Sequence, residues 1–132
     1  MPRFTFSAKL RLTHDLQYEA VKAARMRKNA GPLSIGSVPN ALGHWRLGLA
    51  VSRRCGDAVT RNLIKRHVRE AFRLLQHDLP RLGNECGLDI VVSPRAHDKL
   101  ALTEYQGLLM GVAVQLVSAW DQRLANGWGL ER

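Results

Sequence analysis

A chain of 132 residues with 45% apolar content is one domain with a real core, which excludes wholesale disorder and any need for metal or disulfide staples. Its formal net charge of +9 points to a polyanionic partner. No run approaches the ~20 apolar residues that span a bilayer, and Lys9 and Arg11 interrupt any N-terminal signal stretch, so a cytoplasmic protein with no membrane partner is expected.

Residues 1–8 are expected to form a flexible arm. Asp15 to about Met26 reads as a first helix, with Leu16, Tyr18, Ala20, Val21 and Ala24 as a loose apolar stripe, and Asn29-Ala30-Gly31-Pro32 should stop it. Leu33 to Val38 looks like a short strand, and Pro39 to Gly43 like a hairpin connection. From Trp45 to Val51 the chain alternates, with Trp45, Leu47, Leu49 and Val51 on one face of a half-buried strand.

Ser52 to Asp57 forms a basic loop. Gly56 permits a tight turn there, and Asp57 or Thr60 can cap the helix that follows. On that helix, at about 100° per residue, Arg61, Lys65, Arg69 and Arg73 make one row with Asn62 and Arg66 beside it, all within an arc of roughly 140°. Ile64, Val68, Ala71, Phe72 and Leu75 share an adjoining face that can anchor the helix to a core.

The helix should fade near His77-Asp78-Leu79-Pro80. Leu88 to Ser93 is a compact β-branched strand stopped by Pro94. Thr103 and Gln106 match a capping box for a last helix running to about Ala125, with Leu108, Val112, Leu116 and Trp120 as core contacts. Residues 126–132 should fray. The order predicts an α+β layer fold with helices against one sheet.

Residues 1–73 hold fifteen Lys/Arg against four Asp/Glu, whereas residues 74–132 hold five against seven. So lopsided a distribution implies a directed field rather than an evenly solvated surface. Arg outnumbers Lys, and a guanidinium grips phosphate bidentately or stacks on a base.

Catalytic apparatus is sparse by comparison. The Gly56 region lacks the second Gly and the Lys of a phosphate-binding P-loop. Asp57, Glu70, Asp78, Asp89 and Asp98 show no close pairing suited to Mg²⁺. Cys55 and Cys86 are isolated and the five histidines scattered, so free thiols and no structural zinc are expected.

The stretch Leu47-Gly48-Leu49-Ala50-Val51-Ser52-Arg53-Arg54, followed by Gly56-Asp57-Ala58-Val59, Arg61-Asn62, Lys65-Arg66, Arg69-Glu70 and Arg73, resembles the signature of the protein subunit of bacterial ribonuclease P. Upstream, Arg11-Leu12, Tyr18 and Val21 resemble that family's first helix, and Asp89 to Val92 resembles its last strand. The likeness covers roughly residues 9–125. The family commonly has a Lys pair where Arg53-Arg54 stand, Asn in place of Asp57, and a polar or basic residue in place of Leu63.

The resemblance implies a two-layer α/β sandwich of order α-β-β-β-α-β-α with a left-handed crossover, although only three strands are legible from the residues. It also implies that catalysis belongs to an RNA subunit, one protein to each RNA, which positions Mg²⁺ to form the mature 5′ end of tRNA. The protein would bind that RNA through Arg53, Arg54, Arg61, Asn62, Lys65, Arg66, Arg69 and Arg73. A cleft near Arg11, Tyr18, Val21, Ile35 and Leu49 would hold the single-stranded 5′ leader of precursor tRNA, and Tyr18 could stack on a base. The rivals are a general RNA-binding or ribosome-associated module without a processing role, and a nuclease acting without RNA.

Overall fold

The computed structural model describes residues 8–98 and 100–127. Most of the expected arm and tail, with Arg3, lies outside them. The elements are α1 (Asp15–Ala24), β1 (Met26–Ala30), β2 (Leu33–Pro39), β3 (Arg46–Leu49), α2 (Ala58–Leu75), β4 (Leu88–Pro94) and α3 (Leu102–Ala125).

The four strands form one mixed sheet in the order β1-β2-β4-β3. β1 and β4 both run antiparallel to β2, and β3 runs parallel to β4. Helix α2 is therefore the crossover between two adjacent parallel strands.

β4 is central and buried on both sides. Leu88, Ile90 and Val92 point with Leu33 and Ile35 into the main core under α2 and α3. Val91 points the other way, into a small cluster with Leu12 and Val21 of the α1 side. A continuous β-branched run suits a strand covered on both faces, and α1 supplies the second cover.

Three junctions hold these layers in register. Trp120 Nε1 on α3 donates to Ser37 Oγ at 2.9 Å, and that hydroxyl donates to the Met26 carbonyl at 3.2 Å, linking α3, β2 and β1. Arg123 Nη1 donates to the Ala24 carbonyl at 2.6 Å, satisfying an orphan acceptor at the end of α1. Asp89 accepts from Asn40 Nδ2 at 2.8 Å and from Arg46 Nε at 2.7 Å and Nη2 at 2.6 Å. That bond to Asp89 raises the Arg46 pKa above its ordinary value.

The structure corrects three local expectations. α1 stops at Ala24, because Arg25 turns left-handed (φ 53°) and Met26 begins β1. The segment Met-Arg-Lys-Asn-Ala lacks a strand's composition; pairing with β2 along its whole length makes it one. The Pro39–Gly43 connection is no hairpin, because β4 lies between β2 and β3 and Asp89 is grasped from both ends of that loop. Finally, α3 begins a residue before Thr103, and Glu104 Oε1, rather than Gln106, accepts the Ala101 amide at 3.1 Å.

Candidate RNA interface

The basic loop is built on a buried thiol. A single 3₁₀ turn spans Arg53–Cys55, and Cys55 Sγ donates to the Pro94 carbonyl at 3.2 Å, which leaves Arg53 and Arg54 exposed outside. Gly56 follows at φ 135°, a conformation that favours glycine. Asp57 then caps α2, its carboxylate accepting the Thr60 amide at 2.8 Å. That backbone bond holds the Asp57 pKa below the usual carboxylate range. One of the three departures from the family pattern is thus a working helix cap.

Ile64, Val68, Ala71 and Phe72 bury one side of α2, as the spacing predicts. Asn62, Arg66 and Arg69 are exposed, while Arg61, Lys65 and Arg73 are half-buried. The Arg61 Nε atom is buried without a hydrogen-bond partner. Leu63, another departure, is half-buried and lines a shallow hollow with Val59, Asn62 and Arg66.

Two concavities flank the cationic row. One runs along the outer side of α2 past Asn62, Arg66, Arg69, Glu70 and Arg73. The other, about 140 Å³, lies between α2, the edge of β3 and the chain before α1, with Arg11, Tyr18, Gly48, Leu49, Lys65 and Arg69 on its walls. Arg69 reaches both. Residues assigned from sequence to two separate surfaces therefore meet in one groove.

The groove depends on a close approach. The Leu12 amide donates to the Leu47 carbonyl at 3.0 Å and Arg11 bridges to Leu47, so the N-terminal segment extends the sheet beyond β3. The Tyr18 ring rests on Gly48, where a Cβ would come within 2.8 Å of it. Tyr18 Oη donates to the Leu12 carbonyl across a long 3.5 Å. The lone Gly inside the alternating Leu47–Leu49 pattern is the sequence signal for that approach.

Two expected cleft residues are placed elsewhere. Ile35 is fully buried in the main core beneath α2 and α3, on the face away from α1. Val21, 3% exposed, is spent holding α1 to the sheet beside Gly36. Both belong to packing. Leu49 does line the groove, although it also packs against the main core.

Glu70 is the acid within the basic face, and the spacing argument gave it no role. It accepts a hydrogen bond from Arg73 Nε at 3.1 Å, which lowers the carboxyl's pKa and raises that of the guanidinium. Arg73 is consequently the most compensated cation of the row. Among the described residues, no group of three or more His, Cys, Asp or Glu side chains is arranged to hold a metal ion, and no helix is long and apolar enough to cross a membrane.

A family model for ribonuclease P matches residues 6–113. The chain belongs to the ribonuclease P protein family. Its fold is similar to that of the RNase P protein from Thermotoga maritima, with 25% identity over 80% of this chain and 96% of that one and a TM-score of 0.68. The Staphylococcus aureus RNase P protein is also similar, with 26% identity over 80% and 94% of the two chains and a TM-score of 0.64. Membership in this ribonuclease P family brings a role in tRNA processing and an RNase P RNA as partner.

Proposed function

We propose that this protein binds the catalytic RNA through the exposed face of α2 and its preceding loop, and holds the single-stranded 5′ leader of precursor tRNA in the groove beside β3. The observation that carries this reading is the groove itself, where Arg11, Lys65 and Arg69 surround a tyrosine ring. Cations set to meet phosphates, next to a π-face, suit an unpaired strand better than a duplex.

In this reading the chain's residues bind and orient. Arg53, Arg54, Asn62 and Arg66 face outward from the loop and the first turns of α2 and neutralise phosphates of the large RNA. Arg69 stands between that surface and the groove, so leader and catalytic RNA are held in fixed relation. Arg61 and Arg73 lend charge from half-buried positions.

Mg²⁺ would be held by the RNA, one protein to each RNA, and would supply activation of the attacking water. The carboxylates nearest the basic face are poor ligands for it, because Asp57 caps α2 and Glu70 is paired with Arg73.

The test compares affinity for precursor and mature tRNA in the complex with the catalytic RNA. Tyr18→Ala and Arg11→Gln should weaken precursor binding while leaving mature tRNA affinity nearly unchanged. Equal losses for both substrates would remove the leader from this groove. The rival, a general RNA-binding module, predicts no preference for the precursor in the parent protein either.

A further inference from the structure

A second hollow, about 360 Å³, opens where α2 ends. Lys9, His44, His77 and Arg81 stand on its walls, and the buried rings of Trp45 and Phe72 form its floor. None of the residues lining it is acidic. Arg81 meets Glu85 at 3.5 Å with both side chains largely exposed, a pairing easily exchanged for another anion, and the exposed Asp78 lies between the lining residues His77 and Leu79.

Its walls are tied together in advance. The His44 ring contacts the Lys9 carbonyl at 3.1 Å, and Trp45 Nε1 donates to the Pro80 carbonyl at 2.7 Å. The N-terminal segment, the loop before β3 and the chain after α2 are thereby fixed around one cavity, which lowers the ordering cost of binding.

The hollow also adjoins the groove. Lys9 and Leu10 line the hollow while Arg11 and Leu12 line the groove. Along α2, Lys65 and Arg69 serve the groove, and Phe72 and Gln76 serve the hollow. Both concavities therefore lie between the same two stretches of chain.

We propose that the hollow is a subsite for one nucleotide of a single RNA strand that continues out of the groove, a reading that rests on the proposed function above. The phosphate meets Lys9 and Arg81, and the base lies against the apolar floor. The volume falls at the low end of the roughly 300–1,000 Å³ typical of ligand pockets, the scale of one nucleotide and too small for a duplex. The carbonyl end of the α2 dipole opposes a bare anion, so contact with the base is needed to favour occupancy.

The test titrates the full chain with oligouridylates of increasing length, following backbone amide shifts and affinity together. Short oligomers should move Arg11 and Gly48 alone, and longer ones should also move Gly43 and Gln76 while binding more tightly. Lys9→Gln/Arg81→Gln should abolish the gain with length and reduce the salt-dependence slope by about 0.7, the release expected from one lost phosphate contact on a single strand. Arg69→Gln should weaken short oligomers yet keep the gain.

Groove shifts without shifts at Gly43 and Gln76, or a gain that survives in the double variant, would overturn the subsite and leave the groove reading intact. Equal shifts at Gly43 and Gln76 from inorganic phosphate would overturn it in favour of a simple anion site. Shifts at Gly43 and Gln76 without groove shifts would overturn both the shared track and the groove reading.

Discussion

Gly48 decides where Tyr18 can lie. A methyl group there would meet the ring at 2.8 Å, so Gly48→Ala should lift the ring, costing about 1–3 kcal/mol on the scale of overpacking. In urea unfolding, Tyr18→Ala combined with Gly48→Ala should recover most of that loss. Strict additivity of the two would mean that ring and strand do not press on each other. Asp57 offers a pH test. Its carboxyl titrates below its unfolded value because it accepts the Thr60 amide. The stability it confers is complete above about pH 4 and is lost as pH falls through the lower folded pKa. Denaturation between pH 2 and 6, as an order-of-magnitude window around that value, should show a shallower decline for Asp57→Asn than for the parent protein. At this scale the sequence was informative about charge and caps, because Asp57 and Gly56 act through neighbours a few residues away. It was silent on Val21 and Ile35. Burial of a Val or Ile is settled by which element covers it, and no local pattern distinguishes a cleft wall from a core.

Elements with a clear period were the legible ones. α2 and β4 carry strong apolar patterns and form where expected, whereas β1 is a polar segment that becomes a strand through β2. The order of the strands was hidden for a similar reason, since β4 enters between β2 and β3 from forty residues downstream. Asp89 marks that insertion. It is 5% exposed, and Asn40 and Arg46 satisfy it from the two ends of the β2–β3 loop. Arg46→Met should destabilise the protein by about 2 kcal/mol by leaving a buried carboxylate short of donors. A neutral result at pH 7 would show that Asn40 alone suffices to hold β4 in place.

For the whole molecule, the charge asymmetry along the chain becomes a spatial one through α2. The crossover presses one side of the helix into the core and turns the cationic side outward, where the N-terminal segment beside β3 closes a groove against it. Arg66→Ala or Arg69→Ala should each weaken RNA affinity by about 1–3 kcal/mol and lower its salt dependence. Arg73→Ala should matter less, because Glu70 already compensates that charge. A ranking with Arg73 above Arg69, read from filter binding across a salt series, would contradict the assignment of Arg69 to both surfaces. The central claim is a division of labour, with protein binding and RNA catalysing. Its most direct test is cleavage of a 5′-extended precursor tRNA by the cognate catalytic RNA at low Mg²⁺, with and without this protein, beside the protein alone. The account predicts that the protein stimulates release of the leader to give the mature 5′ end and cleaves nothing by itself. No stimulation of a correctly folded RNA, or cleavage by the protein alone, would contradict it.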